Sequence, residues 1–188
     1  MTAATAKQTN CINGVDLDVL METVGAIQED RELGVARFRA SNTWMNGNHN
    51  RSTVTGFYGA RQEIAHAQPF TMDADEPPIL AGQDSAPNPV EHLLHALASC
   101  LTTSMVAHAA VRGIAIEELE SELEGDIDLN GFLGLDASVP KGYTDIRATF
   151  RVKADPADVD RIKALAAFSP VFNTITNGAN VEVSVDLK

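Results

Sequence analysis

A single cysteine, Cys100, sits in the middle of an apolar run from Asn88 to Gly113, NPVEHLLHALASCLTTSMVAHAAVRG. A thiolate is a strong nucleophile, so this is where the sequence could carry covalent or redox chemistry. A buried cysteine is more often just a small hydrophobe. Placed mid-helix, it is beyond the positive helix terminus, and activation requires a cation brought from elsewhere in the fold. Arg51, just after the turn Asn46-Gly47-Asn48, is the first candidate, with Arg37 and Arg39 as alternatives. Each also reads as an ordinary solvent-facing sheet residue. Glu91 precedes Cys100 by nine residues, about 13.5 Å of helix axis and nearly half a turn out of phase. The two cannot meet within one straight helix. Glu91 therefore either acts on the thiol of a second subunit or closes a capping box with Asn88, and the cap is the simpler reading. His92 and His95 form one pair, while His108 lies about 20 Å further along the axis; these are polar residues of a helical core rather than a metal set.

The elements that must position these residues follow from periodicity. Asn88 as cap, Pro89 in the first turn and Gly113 as stop predict a helix over this run. Its apolar residues, Val90, Leu93, Leu94, Leu97, Ala98, Leu101 and Met105, cover enough of the circumference to predict burial on most sides. A polar arm over residues 1–12 leads to a helix from about Val15 to Gln28, with Leu17, Leu20, Val24 and Ile27 at helical spacing. From Val35 the period becomes two, giving a strand, the Asn46-Gly47-Asn48 turn, and a return strand from Arg51 to Gly59. A short strand from about Phe70 to Ala74 precedes the loop DEPPILAGQDSAPNP, a candidate active-site wall.

Beyond the helix, Leu119, Ser121, Leu123, Gly125, Ile127 and Leu129 alternate with acidic residues, and Ile146, Ala148, Phe150 and Val152 alternate with Arg147, Thr149, Arg151 and Lys153, which predicts cross-strand pairing of the two. The acidic row is a solvated face rather than a cation site, because carboxylates strung along one strand do not surround an ion. Asp155 and Pro156 open a second helix with Val159, Ile162 and Leu165 inward, and Val181–Leu187 reads as a last strand. The order is α+β, with antiparallel sheets packed on a long buried central helix.

Composition bounds the rest. With 188 residues and 44% hydrophobic content, the chain supports one domain, expected at 34–188 behind an N-terminal arm and helix at 1–33. The net charge of −12 and the lack of any dense basic run argue against nucleic acid and anionic membranes as partners. The first residues contain no apolar signal segment, and the long helix is interrupted by polar residues; a soluble, cytoplasmic protein is expected. Two cysteines, Cys11 and Cys100, make neither a disulfide framework nor a paired redox motif. No cofactor is expected.

The segments PVEHLLHALASC, SPVFNTITNGANVEVSV and NGNHNRS, in this order of elements, resemble the OsmC/Ohr family of osmotically induced and organic hydroperoxide resistance proteins over about Gly34 to Leu187. The resemblance implies an intertwined homodimer with two active sites near the interface. It further implies a reactive cysteine, matched by Cys100, an arginine from the first hairpin, matched approximately by Arg51, and a glutamate after the helix-opening proline. Val90 stands at that glutamate position with Glu91 one step on, and Ser169 stands where a second, resolving cysteine is found. The function implied is a one-cysteine reduction of organic hydroperoxides, with Cys100, Arg51 and Glu91 as catalytic residues and an external thiol as reductant. The alternatives are a non-redox member that binds a small apolar ligand with Cys100 lining the pocket, and a structural or interaction protein.

Overall fold

The computed structural model describes residues 10–187, so most of the polar arm expected at 1–12 lies outside the described residues. Two short strands, β1 (Cys11–Ile12) and β2 (Val15–Asp16), precede helix α1 (Leu17–Glu29). Asp16 caps α1 by accepting from the amides of Asp18 and Val19, and the predicted row Leu17, Leu20, Val24 and Ile27 is its half-buried face.

A four-stranded antiparallel sheet follows: β3 (Arg37–Phe38), β4 (Ser41–Asn46), β5 (His49–Gly59) and β6 (Gln62–Ala74). β5 is its spine, pairing with β4 and β3 on one side and with β6 on the other. The turn at Gly47-Asn48 falls where the sequence places it, and Gly47 takes φ 55°, a conformation that costs glycine little. β6 is far longer than the expected strand near Phe70. It begins after a turn at Ala60 and Arg61, both at positive φ (47° and 60°), which neither residue type signals.

Helix α2 (Pro89–Val111) is followed by β7 (Ile116–Asp126), a single turn α3 (Leu129–Phe132) and β8 (Asp145–Ala154), which pairs antiparallel with β7. Acidic β7 meets basic β8 as predicted: Arg147 reaches Glu124 (2.7 Å) and Asp126 (2.5 Å), and Arg151 reaches Glu122 (3.0 Å). Asp155 caps a 3-10 turn that runs into α4 (Val159–Ala164). Helix α5 (Pro170–Asn177), which the sequence reading did not separate out, follows Ser169.

The chain divides into two compact units, one holding residues 16–93 and the other residues 11–15 with 94–187. In the second, Met105, Ala109, Ile114, Ile162 and Leu165 form the buried cluster, flanked by Leu119, Phe150 and Val152 of the hairpin.

Two expectations need correction. Within the single chain, α2 is not buried on most sides: six of its 23 residues are buried, in a stripe from Leu97 to Ala110, and Leu93 is exposed. The stripe is as wide as one packing surface. The final strand is also not formed, since residues 178–187 make no strand and Val181, Val183, Val185 and Leu187 stand in solvent. α2 has the length and mean hydropathy (1.3) of a membrane-crossing helix, a property that core helices share.

Candidate functional site

The N-terminal turn of α2 is built as the sequence predicts. The Asn88 amide donates to Glu91 Oε2 (2.8 Å) and the Glu91 amide donates to Asn88 Oδ1 (2.9 Å), a reciprocal capping box. Glu91 is thus occupied by a structural role in this chain.

The loop ahead of the helix is organised by Asp75, a residue the sequence did not single out. Its side chain is buried and accepts from the amides of Glu76 (2.9 Å), Gln83 (3.1 Å) and Ser85 (3.2 Å) and from the Ser85 hydroxyl (2.8 Å). These donors hold its pKa down to about 2, the Glu76 amide contributing most. The fold of this loop brings the Glu76 carbonyl so close to Gly82 that a Cβ there would lie 1.7 Å from it. Only glycine fits.

Arg51 sits opposite Asp73 in the β5–β6 register, and the two side chains pair through two hydrogen bonds: Nε to Oδ1 at 2.6 Å and Nη2 to Oδ2 at 2.7 Å. His49 Nε2 lies 3.2 Å from the same carboxylate. Asp73 is held well below the usual carboxylate range, first by Arg51 and then by His49, and Arg51 is raised in turn. The backbone carbonyl of Asp73 is 2.9 Å from His92 Nε2, which joins the end of β6 to the first turns of α2. The histidine expected as a satisfied polar residue is therefore satisfied here. Asp73 lies inside the short strand expected near Phe70, but its pairing with Arg51 emerges only from the register.

The alternative arginines are also engaged. Arg39 pairs with Glu63 (2.7 Å), and Arg37 lies over the Tyr58 ring, 5.4 Å from its centroid. His108 stacks on Phe168 at 4.1 Å, with Arg112 5.1 Å from the same ring; burial and then Arg112 push the imidazole down from its ordinary value. Among the described residues no group of three or more His, Cys, Asp or Glu is arranged to hold a metal ion.

Cys100 is a free, half-buried thiol on α2, one turn from buried Leu97 and Ser104. Ser169 is fully buried, and its Oγ accepts from the Phe172 amide (3.2 Å) as the N-cap of α5. A hydroxyl at the helix start thus has a structural task of its own. The second unit also contains an apolar cavity of about 600 Å³ lined by Leu101, Met105, Leu119, Phe150, Ile162 and Phe172, among others. Cys100 is not part of that lining.

The sequence model of the OsmC-like proteins matches residues 82–184, more than half the chain and inclusive of Cys100 and Ser169. The chain belongs to the OsmC-like protein family. Solved structures agree in fold. An OsmC-like protein from Mycoplasma pneumoniae superposes with a TM-score of 0.56 at 16% identity, over 76% of this chain and 89% of that one. An OsmC-like protein of unknown function from Vibrio cholerae gives 0.53 at 13% identity, over 73% and 92%. The organic hydroperoxide resistance protein OsmC from Legionella pneumophila gives 0.50 at 16% identity, over 73% and 89%. No curated protein matches the sequence. In this chain Asp73 holds Arg51, and Ser169 caps α5.

Proposed function

We propose that this OsmC-like protein is a stress-response thiol peroxidase that reduces small organic hydroperoxides with Cys100 as its only peroxidatic thiol. The observation that carries the reading is the family match across a chain whose central helix holds a free, partly accessible cysteine. The Cys100 thiolate attacks the distal oxygen of the hydroperoxide, the O–O bond breaks, and the alkoxide leaves with a proton as the alcohol. Cys100 is left as a sulfenic acid. A first external thiol condenses with it, releasing water and forming a mixed disulfide, and a second thiol releases Cys100 with formation of the external disulfide. Arg51 is the cation proposed to stabilise the thiolate and the departing oxygen, and Glu91 the carboxylate proposed to act on the thiol of a second subunit. Arg51 must exchange Asp73 for its new partner during that step, since both of its donor edges toward β6 are engaged at rest. A homodimer in the cytoplasm, with residues 1–33 as an addition ahead of the OsmC-like domain, completes the proposal.

The test is stopped-flow consumption of cumene hydroperoxide and hydrogen peroxide with a dithiol or a monothiol as reductant. Wild type should turn over cumene hydroperoxide faster than hydrogen peroxide, and Cys100→Ser should lose more than about 100-fold of the rate. Equal slow rates for wild type and Cys100→Ser would remove the peroxidase reading.

A further inference from the structure

His108, near the end of α2, is half-buried and ties the helix that carries Cys100 to the chain that precedes α5. Its ring stacks on Phe168, with centroids 4.1 Å apart and planes 24° from parallel. Arg112, one turn on, lies over the same Phe168 ring at 5.1 Å and places Nη1 3.2 Å from His108 Nδ1 and 3.0 Å from the His108 carbonyl. A guanidinium only donates, so Nδ1 must be the acceptor. The contact therefore requires the neutral imidazole with its proton on Nε2.

Phe168 ends the 3-10 turn Leu165–Phe168, and this turn is wired to α5 on both sides of the ring. Asn173 Nδ2 donates to the carbonyls of Ala167 (2.9 Å) and Ser169 (2.8 Å), and the buried Ser169 caps the helix through its hydroxyl. α5 in turn gives Phe172 and Ile175 to the wall of the apolar cavity. The stack thus anchors one wall of that cavity to α2.

Protonation attacks this anchor directly. A proton on Nδ1 removes the lone pair that accepts from Arg112 and sets a second cation against the first. The attraction of an imidazolium for the Phe168 face works the other way, but Arg112 already lies against that ring. Burial and then Arg112 both disfavour the charged imidazole in the closed stack. The turn Leu165–Phe168 carries no ionisable side chain, and Arg112 is the charge that acts on the ring from its own side, so no carboxylate from either offsets the imidazolium.

We infer that His108, Phe168 and Arg112 form an acid-released latch, closed while His108 is neutral and opened by its protonation, which frees the turn before α5 and with it the α5 wall of the cavity. An unstacked imidazole takes its proton near pH 6.5 and the stacked one at lower pH. The contribution of the stack is therefore complete above about pH 6.5 and is lost as the pH falls below it.

Hydrogen exchange read by mass spectrometry, on the full chain at pH 7.5 and 5.5 and corrected for the intrinsic rate at each pH, measures the opening. Peptides covering residues 165–177 should lose about three- to tenfold of their protection at pH 5.5, while the stretch from Leu101 to Met105 in the buried stripe of α2 keeps its own. His108→Phe keeps a ring against Phe168 and cannot titrate, so its protection over residues 165–177 should be equal at the two pH values. Equal protection in the wild type, or the same loss in His108→Phe, overturns the inference. Should that variant fail to fold, the wild type decides: nitrogen chemical shifts at pH 7.5 should place the His108 proton on Nε2, and a proton on Nδ1 overturns the latch.

Discussion

The two units of this chain are held together by different physics. Between residues 16 and 93 the buried positions among the described residues are Gly59, Ala74 and Asp75, and the sheet exposes Phe38, Trp44 and Phe70. Its order comes from strand ladders, Asp75 with its four donors, and ion pairs such as Arg51–Asp73 and Arg39–Glu63. The second unit instead contains the apolar cluster of Met105, Ala109, Ile114, Ile162 and Leu165. The second unit fixes the helix that carries Cys100 by apolar packing, and the first is held by ladders and charged hydrogen bonds. Substitutions should therefore cost most in the second unit and least in the first.

The largest effect is expected at Ile162, which is 2% exposed and sits in the centre of the cluster. Ile162→Ala removes buried carbons and leaves a cavity, a loss of about 3 kcal/mol in urea unfolding. Phe38→Ala, at a ring that is 78% exposed and stacked on Phe57 at 5.2 Å, should cost less than about 1 kcal/mol. Equal losses at the two positions would break the contrast and mean that the aromatic face is covered in solution.

What the sequence made legible follows the same division. The capping box of Asn88 and Glu91, the acid–base pairing of β7 with β8, and the Asp155-Pro156 helix start were readable because each depends on residues close in sequence or on a strict alternation. The extent of β6 was not, because its turn uses Ala60 and Arg61 at positive φ in place of glycine or asparagine. The exposure of the first half of α2 was not, because an apolar helix states that it wants cover without stating which chain provides it. Among the candidate residues, Cys100, Glu91 and Arg51 were visible as residue types, but the partner of Arg51 lies 22 residues away and emerges only from strand register. Ser169 was visible as a residue before Pro170, and its N-cap bond required α5 to be seen.

A middle effect belongs to Asp75, the one carboxylate of the polar unit with a burial comparable to the apolar core. Its folded pKa of about 2 lies below the usual value near 3.9. Its contribution is therefore fully present above about pH 4 and is lost as the pH falls through about 2. Asp75→Asn should lower Tm by about 5 °C at neutral pH, since an amide turns one donor toward the surrounding N–H groups. The variant should also flatten the acid limb of the stability curve between about pH 4 and pH 2, measured by circular dichroism. An unchanged acid limb would assign the acid sensitivity to another carboxylate.

The smallest effect is expected at Arg39. Its two hydrogen bonds to Glu63, at 2.9 and 2.7 Å, have the geometry of a strong pair, and Glu63 is held below its ordinary pKa by them. Both side chains nevertheless stand more than half exposed, at 53% and 65%. Water screens the attraction and the pair must give up side-chain freedom to form, so good geometry does not translate into stability. Arg39→Ala should shift Tm by less than about 2 °C, and the shift should vanish at about 1 M salt. A shift as large as that of Asp75→Asn, persisting at high salt, would show that this edge of the sheet is covered in solution and that its ion pairs belong to an interface.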